Sequence, residues 1–132
     1  MGIRPLTDFG IVPKGLEYYF TSVGGTSIEL VKGNGIVRIA LVDTRGIVLE
    51  GLENIVNEIF RILSPVTASI DVLYEGDSLI ERIQQNGWSG SLEFLKGRKV
   101  YSIIIDIRGV CGDIDIGDLK RLYEAGMILG NL

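Results

Sequence analysis

The residues best suited to chemistry lie together in the stretch IIIDIRGVCGDIDIGD, residues 103–118, where four aspartates and the only cysteine follow a run of isoleucines. Asp113 and Asp115 would occupy positions 1 and 3 of a calcium-binding loop. However, position 5 is Gly117, which has no side-chain oxygen, and position 6, which should be glycine, is Asp118. The pattern therefore favours a helix start, with Asp115 as N-cap and Asp118 favouring the helix dipole. No metal is predicted, and Asp113 and Asp115 are the candidate ligands if one binds.

Cys111 is the second reactive group in this stretch. A nucleophilic thiol needs its pKa lowered by a helix N-terminus or a cation, and the following helix and Arg108 would supply both. The negative charges of the nearby aspartates would instead raise the pKa of the Cys111 thiol. We therefore predict that Cys111 is a small, half-buried filler. A single cysteine also excludes an intramolecular disulfide and favours a reducing, intracellular setting.

The absence of histidine restricts the chemistry of the whole chain. It excludes Ser-His and Cys-His pairs and every zinc site that contains histidine. Any catalysis would depend on Asp, Glu, Lys, Tyr, Arg or the one cysteine. The sequence leads us to predict no catalytic residue and no cofactor.

Anion binding is the main alternative to a purely structural role for the cations. Thr44 and Arg45 follow an apolar strand and precede a predicted helix, which is where α/β sheets bind anions. Arg38 and Arg108 are further candidates for the same role. The competing interpretation is a Thr44 helix cap with a solvated Arg45. A standard nucleotide loop is not predicted, because neither a Walker motif nor G-x-G-x-x-G is present.

The only dense basic cluster is KGRK, residues 96–99. Lys96, Arg98 and Lys99 would either contact a phosphate backbone or be solvated at a hairpin tip. The net charge of −4 disfavours broad nucleic-acid binding, which needs dense Lys and Arg to neutralise phosphates. Nucleic acid or a nucleotide is therefore a partner that the composition does not favour.

Three charged residues interrupt otherwise apolar strands, namely Arg38, Asp71 and Asp106. Buried charges are costly unless they are paired. We expect these residues to pair with one another or to lie on an exposed strand face, with a cleft or a subunit interface as the alternative.

The elements that must position these candidates follow from hydrophobic periodicity. The nearly continuous apolar run at 36–43 indicates a central strand, and KGNG at 32–35 indicates a tight turn. Further strands are predicted at 16–22, 27–31, 68–76, 91–95 and 99–107, and helices at 46–63, at 76–87 and from Asp115 to Gly126. This order predicts an α/β (α+β) fold with a single mixed β-sheet of about five to six strands and three helices. The helix at 46–63 allows a right-handed parallel crossover.

The length of 132 residues suits a single domain, 1–132, with residues 1–15 as an irregular N-terminal arm. No signal peptide and no apolar run near the ~20 residues of a membrane helix is present, so no membrane partner is expected. A cytoplasmic location is therefore predicted.

Association is predicted from apolar surface. Tyr18, Tyr19 and Phe20, together with the terminal segment MILGNL, carry more apolar surface than a small monomer hides easily. We expect a symmetric homodimer, with a protein partner as a further option.

Two stretches, IDVLYEGDSLI (70–80) and IIIDIRGVCGDIDIGDLKRLYEAGMI (103–128), resemble parts of a family of small α/β proteins from viruses of hot-spring archaea. That family includes viral ring nucleases that cleave cyclic tetra-adenylate. The resemblance implies a mixed sheet, a homodimer and the host cytoplasm as location. The nuclease chemistry of the family uses a histidine, which this chain lacks, so no catalytic residue is carried over.

The sequence therefore predicts a small homo-oligomeric binding or assembly module without catalytic activity. The alternative is an enzyme that acts on nucleotides or nucleic acid, of the phosphodiesterase or ring-nuclease type, without histidine. The alternative requires Arg38, Arg45, Arg108 or the KGRK charges to converge with a carboxylate on one concave pocket.

Overall fold

The computed structural model describes residues 15–47, 49–65, 67–74, 80–84 and 99–130, and this part of the chain forms one sheet and two helices. The strands are β1 (Glu17–Val23), β2 (Thr26–Gly33), β3 (Ile36–Ile47), β4 (Thr67–Tyr74), β5 (Ile80–Gln84) and β6 (Val100–Arg108); the helices are α1 (Leu49–Leu63) and α2 (Ile116–Gly130). The α+β class is confirmed, whereas the predicted count of about five to six strands and three helices is only broadly compatible with the six strands and two helices described. The predicted strand at 91–95 and nearly all of the predicted arm lie outside the described residues.

The strands are arranged in the order β1-β2-β3-β6-β4-β5, and every described pairing is antiparallel. The parallel neighbours expected of a mixed sheet are therefore not found among these pairings. β3 and β4 do run in the same direction, because both pair antiparallel with β6, which lies between them. The crossover through α1 thus joins two parallel strands as predicted, but it passes over β6.

Two tight turns define the register of the first three strands. Asn34 and Gly35 have φ of 54° and 75°, which confirms the turn predicted from KGNG. Gly24 and Gly25 adopt φ of 56° and 93° between β1 and β2. Positive φ at both central residues is the geometry of two-residue hairpins, and its twist matches that of the strands. β1, β2 and β3 therefore form a continuous meander.

One face of the sheet forms the core. Its middle row consists of Leu30, Ile39, Ile105 and Ile70, which are opposite one another in register and fully buried. The two helices cover this face and contribute further buried side chains, namely Leu52, Ile55, Val56, Ile59, Leu63, Leu119 and Tyr123. Alternation then places Arg38 and Asp106 on the opposite face.

The predicted helix at 76–87 is wrong, because Ile80–Gln84 forms β5 and pairs with β4. The helix was predicted because Ile80 and Ile83 have helical spacing and Asp77 is a residue type that favours a helix N-cap. A five-residue partner for β4 nevertheless completes the sheet, so tertiary pairing overrides the local propensity. The rest of that predicted helix lies outside the described residues.

Both remaining helices differ from the prediction at one end. α1 begins at Leu49 rather than at residue 46, because β3 continues to Ile47 and Gly46 has a φ of 109°. α1 ends at Leu63, just before Pro65, as expected from the proline. α2 continues past Gly126 to Gly130, so that glycine does not end the helix.

Candidate functional site

The most deeply buried hydroxyl and carboxylate in the described residues meet at the end of β3. Thr26 is 1% exposed and Asp43 is 4% exposed. The Thr26 hydroxyl donates a hydrogen bond to Oδ2 of Asp43 over 2.7 Å. Tyr123, on α2, places its hydroxyl 2.5 Å from Oγ1 of Thr26. Residues from the start of β2, from β3 and from α2 therefore converge on one buried network.

The donors in this network can be assigned. An ionised carboxylate only accepts hydrogen bonds, so the single hydroxyl proton of Thr26 is directed at Asp43. Tyr123 must then donate to Thr26 and not accept from it. The chain of donation runs from Tyr123 through Thr26 to Asp43, and each bond polarises the next.

Arg45 completes the network from the solvent side. Its backbone N–H donates to Oδ1 of Asp43 over 2.8 Å, and its guanidinium lies 3.3 Å from each carboxylate oxygen. The same guanidinium donates to the carbonyl of Gly24 in the β1–β2 turn. A methyl group at Gly25 would lie 2.8 Å from Cζ of Arg45, whose flexible end could move aside, so the turn favours glycine here chiefly because φ is 93°.

The protonation states follow from these contacts. Burial raises the pKa of Asp43. Hydrogen bonds from Arg45 and Thr26 lower it by more than burial raises it, so the pKa of Asp43 lies below its usual value. Burial raises the pKa of Tyr123 above its usual value. Asp43 is therefore ionised and Tyr123 protonated at neutral pH. The network is suited to clamping three elements together rather than to proton transfer.

The predicted anion site at Thr44 and Arg45 lies in a strand irregularity, not at a helix start. Val42 pairs with Ser102 and Ile47 pairs with Val100, so β3 has extra residues that bulge from the ladder. The helix dipole on which the prediction depended is therefore not at Thr44. Thr44 is not the N-cap of α1 either, because α1 begins at Leu49.

One basic residue of the KGRK cluster does reach the bulge. A methyl group at Gly46 would lie 3.7 Å from Cβ and Cγ of Lys99, so the stem of Lys99 packs against the bulge. Thr44, Arg45 and Lys99 are all exposed and occupy one end of the sheet. Lys96 and Arg98 lie outside the described residues.

The other two predicted anion ligands lie elsewhere. Arg38 and Asp106 are opposite one another on β3 and β6, with Nε–Oδ1 and Nη2–Oδ2 distances of 2.6 and 3.2 Å. This bidentate pair agrees with the expectation that charges within the strands pair with one another. Arg108 is exposed and opposite Ile36, at the end of β3 away from Arg45. At ~3.3 Å per residue, Arg108 and Arg45 are separated by roughly 25 Å along the strands.

The aspartates that follow β6 have separate local roles. Asp113 accepts a hydrogen bond from Nζ of Lys32 over 3.2 Å, and Lys32 also donates to the carbonyl of Ile114. Asp115 accepts from the N–H of Asp118 over 2.7 Å, and Asp118 accepts from the N–H of Asp115 over 3.1 Å. This reciprocal pair confirms the predicted start of α2. No group of three metal-ligating side chains occurs in the described segments.

Lys32 keeps its charge at this contact. Burial lowers the pKa of Lys32, but the hydrogen bond and the charge of Asp113, with Glu17, raise it above the usual value. The Lys32 ammonium also lies 5.9 Å from the centre of the Tyr19 ring. Lys32 therefore fastens the far end of β2 to the loop that precedes α2.

The loop of Cys111 closes the C-terminus of α1, which sequence reasoning did not anticipate. The N–H groups of Cys111 and Gly112 both donate to the carbonyl of Leu63, over 2.9 and 3.3 Å. A methyl group at Gly112 would lie 2.9 Å from the carbonyl carbon of Ile62 and still closer to its oxygen. The Cys111 side chain is exposed, which corrects the prediction of a half-buried filler.

Sequence reasoning also missed the buried network. Its one signal was Asp43, an acidic residue that ends a nearly continuous apolar strand. Thr26 and Tyr123 carry no such signal, because a threonine after a turn and a tyrosine on an apolar helix stripe are ordinary residues. The contact between Thr26 and Tyr123 links positions 97 residues apart.

The chain matches no protein-family model, no curated protein and no solved structure. The resemblance to proteins of archaeal viruses therefore stays a prediction. Within the described residues, no helix is long and apolar enough to cross a membrane.

Proposed function

We propose that this chain is a homodimeric assembly module that acts by binding and not by catalysis. The observation that carries this proposal is the exposure of two adjacent aromatic side chains on β1, the strand at one edge of the sheet that the described residues form. Tyr19 and Phe20, in the middle of β1, are 40% and 46% exposed. Because successive strand residues point to opposite faces, each face of β1 exposes one aromatic side chain, and aromatic side chains are enriched at protein–protein interfaces.

Among the described residues, β1 carries few of the devices that usually protect an edge strand, and Glu17 is its one charged residue. It contains seven residues, EYYFTSV, without proline or lysine, and its register with β2 has no bulge. The opposite edge of the described sheet, β5, has only five residues and includes Glu81 and Arg82. The contrast between the two edges favours β1 as the surface that binds a partner.

The surrounding contacts hold this edge in place before a partner binds. Arg45 bonds the turn that ends β1, and Thr26 ties the start of β2 to Asp43. Lys32 ties the end of β2 to Asp113. β2, the strand that supports β1, is thus fastened at both ends. A pre-ordered edge loses less conformational freedom on association and so binds more tightly.

Light scattering after size-exclusion chromatography tests the proposal. We expect a mass of twice the 14.4 kDa of the chain at micromolar concentration. Phe20→Lys should give the monomer mass, because it places a charge at the centre of the surface. Ile36→Lys is the matched control, since Ile36 is 38% exposed but lies on β3, and it should remain dimeric. A monomer mass for the unmodified chain at every concentration would contradict the proposal.

A second candidate, an enzyme acting on nucleotides or nucleic acid, is favoured by one observation only. The exposed residues Thr44, Arg45 and Lys99 share one end of the sheet. Arg45 is already bonded to Asp43, and Arg38 and Arg108 lie elsewhere, so the grouping needed for phosphodiester chemistry has less support. Thermal-shift measurements with a panel of nucleotides would favour this candidate if a shift disappeared in Lys99→Gln.

For location, the cytoplasm is our proposal, and the host cytoplasm if the chain is viral. The single cysteine, which favours a reducing setting, supports it.

A further inference from the structure

We infer that the carboxylate of Asp43 and the carbonyl of Gly24 form a guanidinium-binding site, which the chain's own Arg45 occupies as a replaceable ligand. The ligand class is a guanidinium group, either of a small compound or of an arginine side chain from another chain. The inference goes beyond the proposed dimer and does not depend on it, because it concerns contacts within one copy of the chain.

Four hydrogen bonds reach the carboxylate of Asp43, and only half of them come from the guanidinium. The Thr26 hydroxyl donates to Oδ2 over 2.7 Å, and the backbone N–H of Arg45 donates to Oδ1 over 2.8 Å. The guanidinium adds one longer contact of 3.3 Å to each oxygen. Because an ionised carboxylate accepts about four hydrogen bonds, removal of the guanidinium leaves one open position on each oxygen.

The site is far more buried than the group that occupies it. The Asp43 side chain is 5% exposed, whereas the Arg45 side chain is 67% exposed. The Thr26 hydroxyl and the backbone N–H at position 45 hold the carboxylate whether or not the guanidinium is present. A fixed and desolvated carboxylate attracts a cation more strongly than one in water. The exposed side chain of Arg45 is therefore the part of the network that can be exchanged without opening the core.

The β1–β2 turn supplies a third oxygen and the space for a planar ligand. The Gly24 carbonyl accepts a hydrogen bond from Nη2 of Arg45, the same nitrogen that lies 3.3 Å from Oδ2 of Asp43. A methyl group at Gly25 would lie 2.8 Å from Cζ of the guanidinium, so the glycine leaves room for the ligand. Three oxygens around one planar fork suit a guanidinium better than an ammonium, whose charge is compact.

Rescue of Arg45→Ala by free guanidinium ion tests the inference. The variant keeps the backbone N–H at position 45 and the Thr26 hydroxyl, so the carboxylate stays in place. With a dissociation constant on the order of 10 mM, about 50 mM guanidinium should raise the folding equilibrium constant about six-fold. For a chain of this length, that change corresponds to a rise in melting temperature of about 3 °C. The unmodified protein should gain less, because its tethered Arg45 competes for the site.

Three controls separate this site from general effects of the ligand. Urea has the same planar shape without the charge, and sodium chloride matches the ionic strength, so neither should stabilise Arg45→Ala. The double variant Asp43→Asn, Arg45→Ala should not respond to guanidinium, because it lacks the carboxylate. Arg38→Ala is the matched vacancy, since it frees Asp106 from a bidentate arginine. The Asp106 side chain is 24% exposed, so solvent screening should make its response smaller.

A saturating rise in melting temperature that requires Asp43 would support the inference. No rise for Arg45→Ala, or an equal rise for Arg38→Ala or for the double variant, would overturn it. If Arg45→Ala is largely unfolded, the same titration is read as recovery of the folded circular dichroism signal, and no recovery would overturn it equally.

Acetyl-arginine amide, used in place of guanidinium, distinguishes the two sources of the ligand. A rise of similar size for Arg45→Ala assigns the site to an arginine of another chain, because the blocked amino acid mimics a peptide. A rise with the free ion alone assigns it to small guanidinium compounds. No rise with either compound would overturn the inference.

Discussion

Replacing Thr26 with valine tests the chain of hydrogen bonds that runs from Tyr123 to Asp43. Valine has almost the same shape as threonine but carries no hydroxyl group. The change therefore removes the donor to Asp43 and the acceptor for Tyr123 at the same time. Thr26 is 1% exposed, so water does not readily replace either bond.

The expected loss of stability can be worked from these two contacts. A hydrogen bond to a charged group contributes about 1.5–3 kcal/mol, and a buried group left without a partner costs about 1–3 kcal/mol. Burial of the added methyl group of valine regains about 0.8 kcal/mol of this loss. We therefore expect Thr26→Val to lower the free energy of unfolding by about 3 kcal/mol. Tyr123→Phe removes only the terminal donor and should cost about 1 kcal/mol.

Urea unfolding, followed by circular dichroism at neutral pH, measures these losses. Thr44→Val is the matched control, because it makes the same chemical change on an exposed residue of the bulge. An exposed substitution of this kind should change the unfolding free energy by less than ~0.5 kcal/mol. The double variant Thr26→Val, Tyr123→Phe should be no less stable than Thr26→Val alone, since the tyrosine hydroxyl has already lost its acceptor.

Two results would refute the reasoning. The first is a loss for Thr26→Val no larger than that for Thr44→Val, which would mean that the buried hydroxyl contributes little. The second is additivity of Thr26→Val and Tyr123→Phe, which would mean that the two hydroxyl groups are not coupled.

Three further predictions concern the neighbouring contacts. Gly112→Ala should destabilise the protein by about 1–3 kcal/mol, because the new methyl group would meet the end of α1. Cys111→Ala, at the neighbouring position, should be nearly neutral. Equal urea midpoints for the two variants would contradict this prediction. Asp43 has a lowered pKa in the folded state, so its stabilising effect is present above about pH 3.9 and is lost as the pH falls through the folded pKa. The deficit of Asp43→Asn should therefore shrink in acid, and a constant difference in urea midpoint would disprove the assignment. Calcium or magnesium should not raise the melting temperature, because Asp113 is bonded to Lys32; a rise that disappears in Asp113→Asn would establish a metal site.

Local features of the fold were predictable because they depend on neighbours in the chain. The Asn34–Gly35 turn follows from residues that tolerate positive φ. The start of α2 follows from Asp115 and Asp118, three residues apart on one helical turn. Alternation within each strand places Arg38 and Asp106 on the face away from the core, whereas their pairing across 68 residues was one of several outcomes that the sequence left open. In each case the cause lies within a few residues or in the alternation of a strand.

Features that depend on distant segments were not predictable. The sequence at 80–84 suits a helix, and only the open edge of β4 makes it a strand. The bulge at Thr44 replaces a helix start because β3 continues in register against β6. Nothing in the sequence marks Gly112 as necessary, and the need for glycine is seen only where its backbone approaches the C-terminal end of α1.

The sequence by itself determined the class of fold, the central position of β3 and the chemical limits of a chain without histidine. Those properties depend on composition and on local periodicity, which need no knowledge of the partners in space. The tertiary structure decided that Thr26 meets both Asp43 and Tyr123, and that Tyr19 and Phe20 lie on the strand at one edge of the described sheet. The physical reason is that burial and edge position are properties of the packed sheet. The same residues at the same spacing have neither property in an isolated segment.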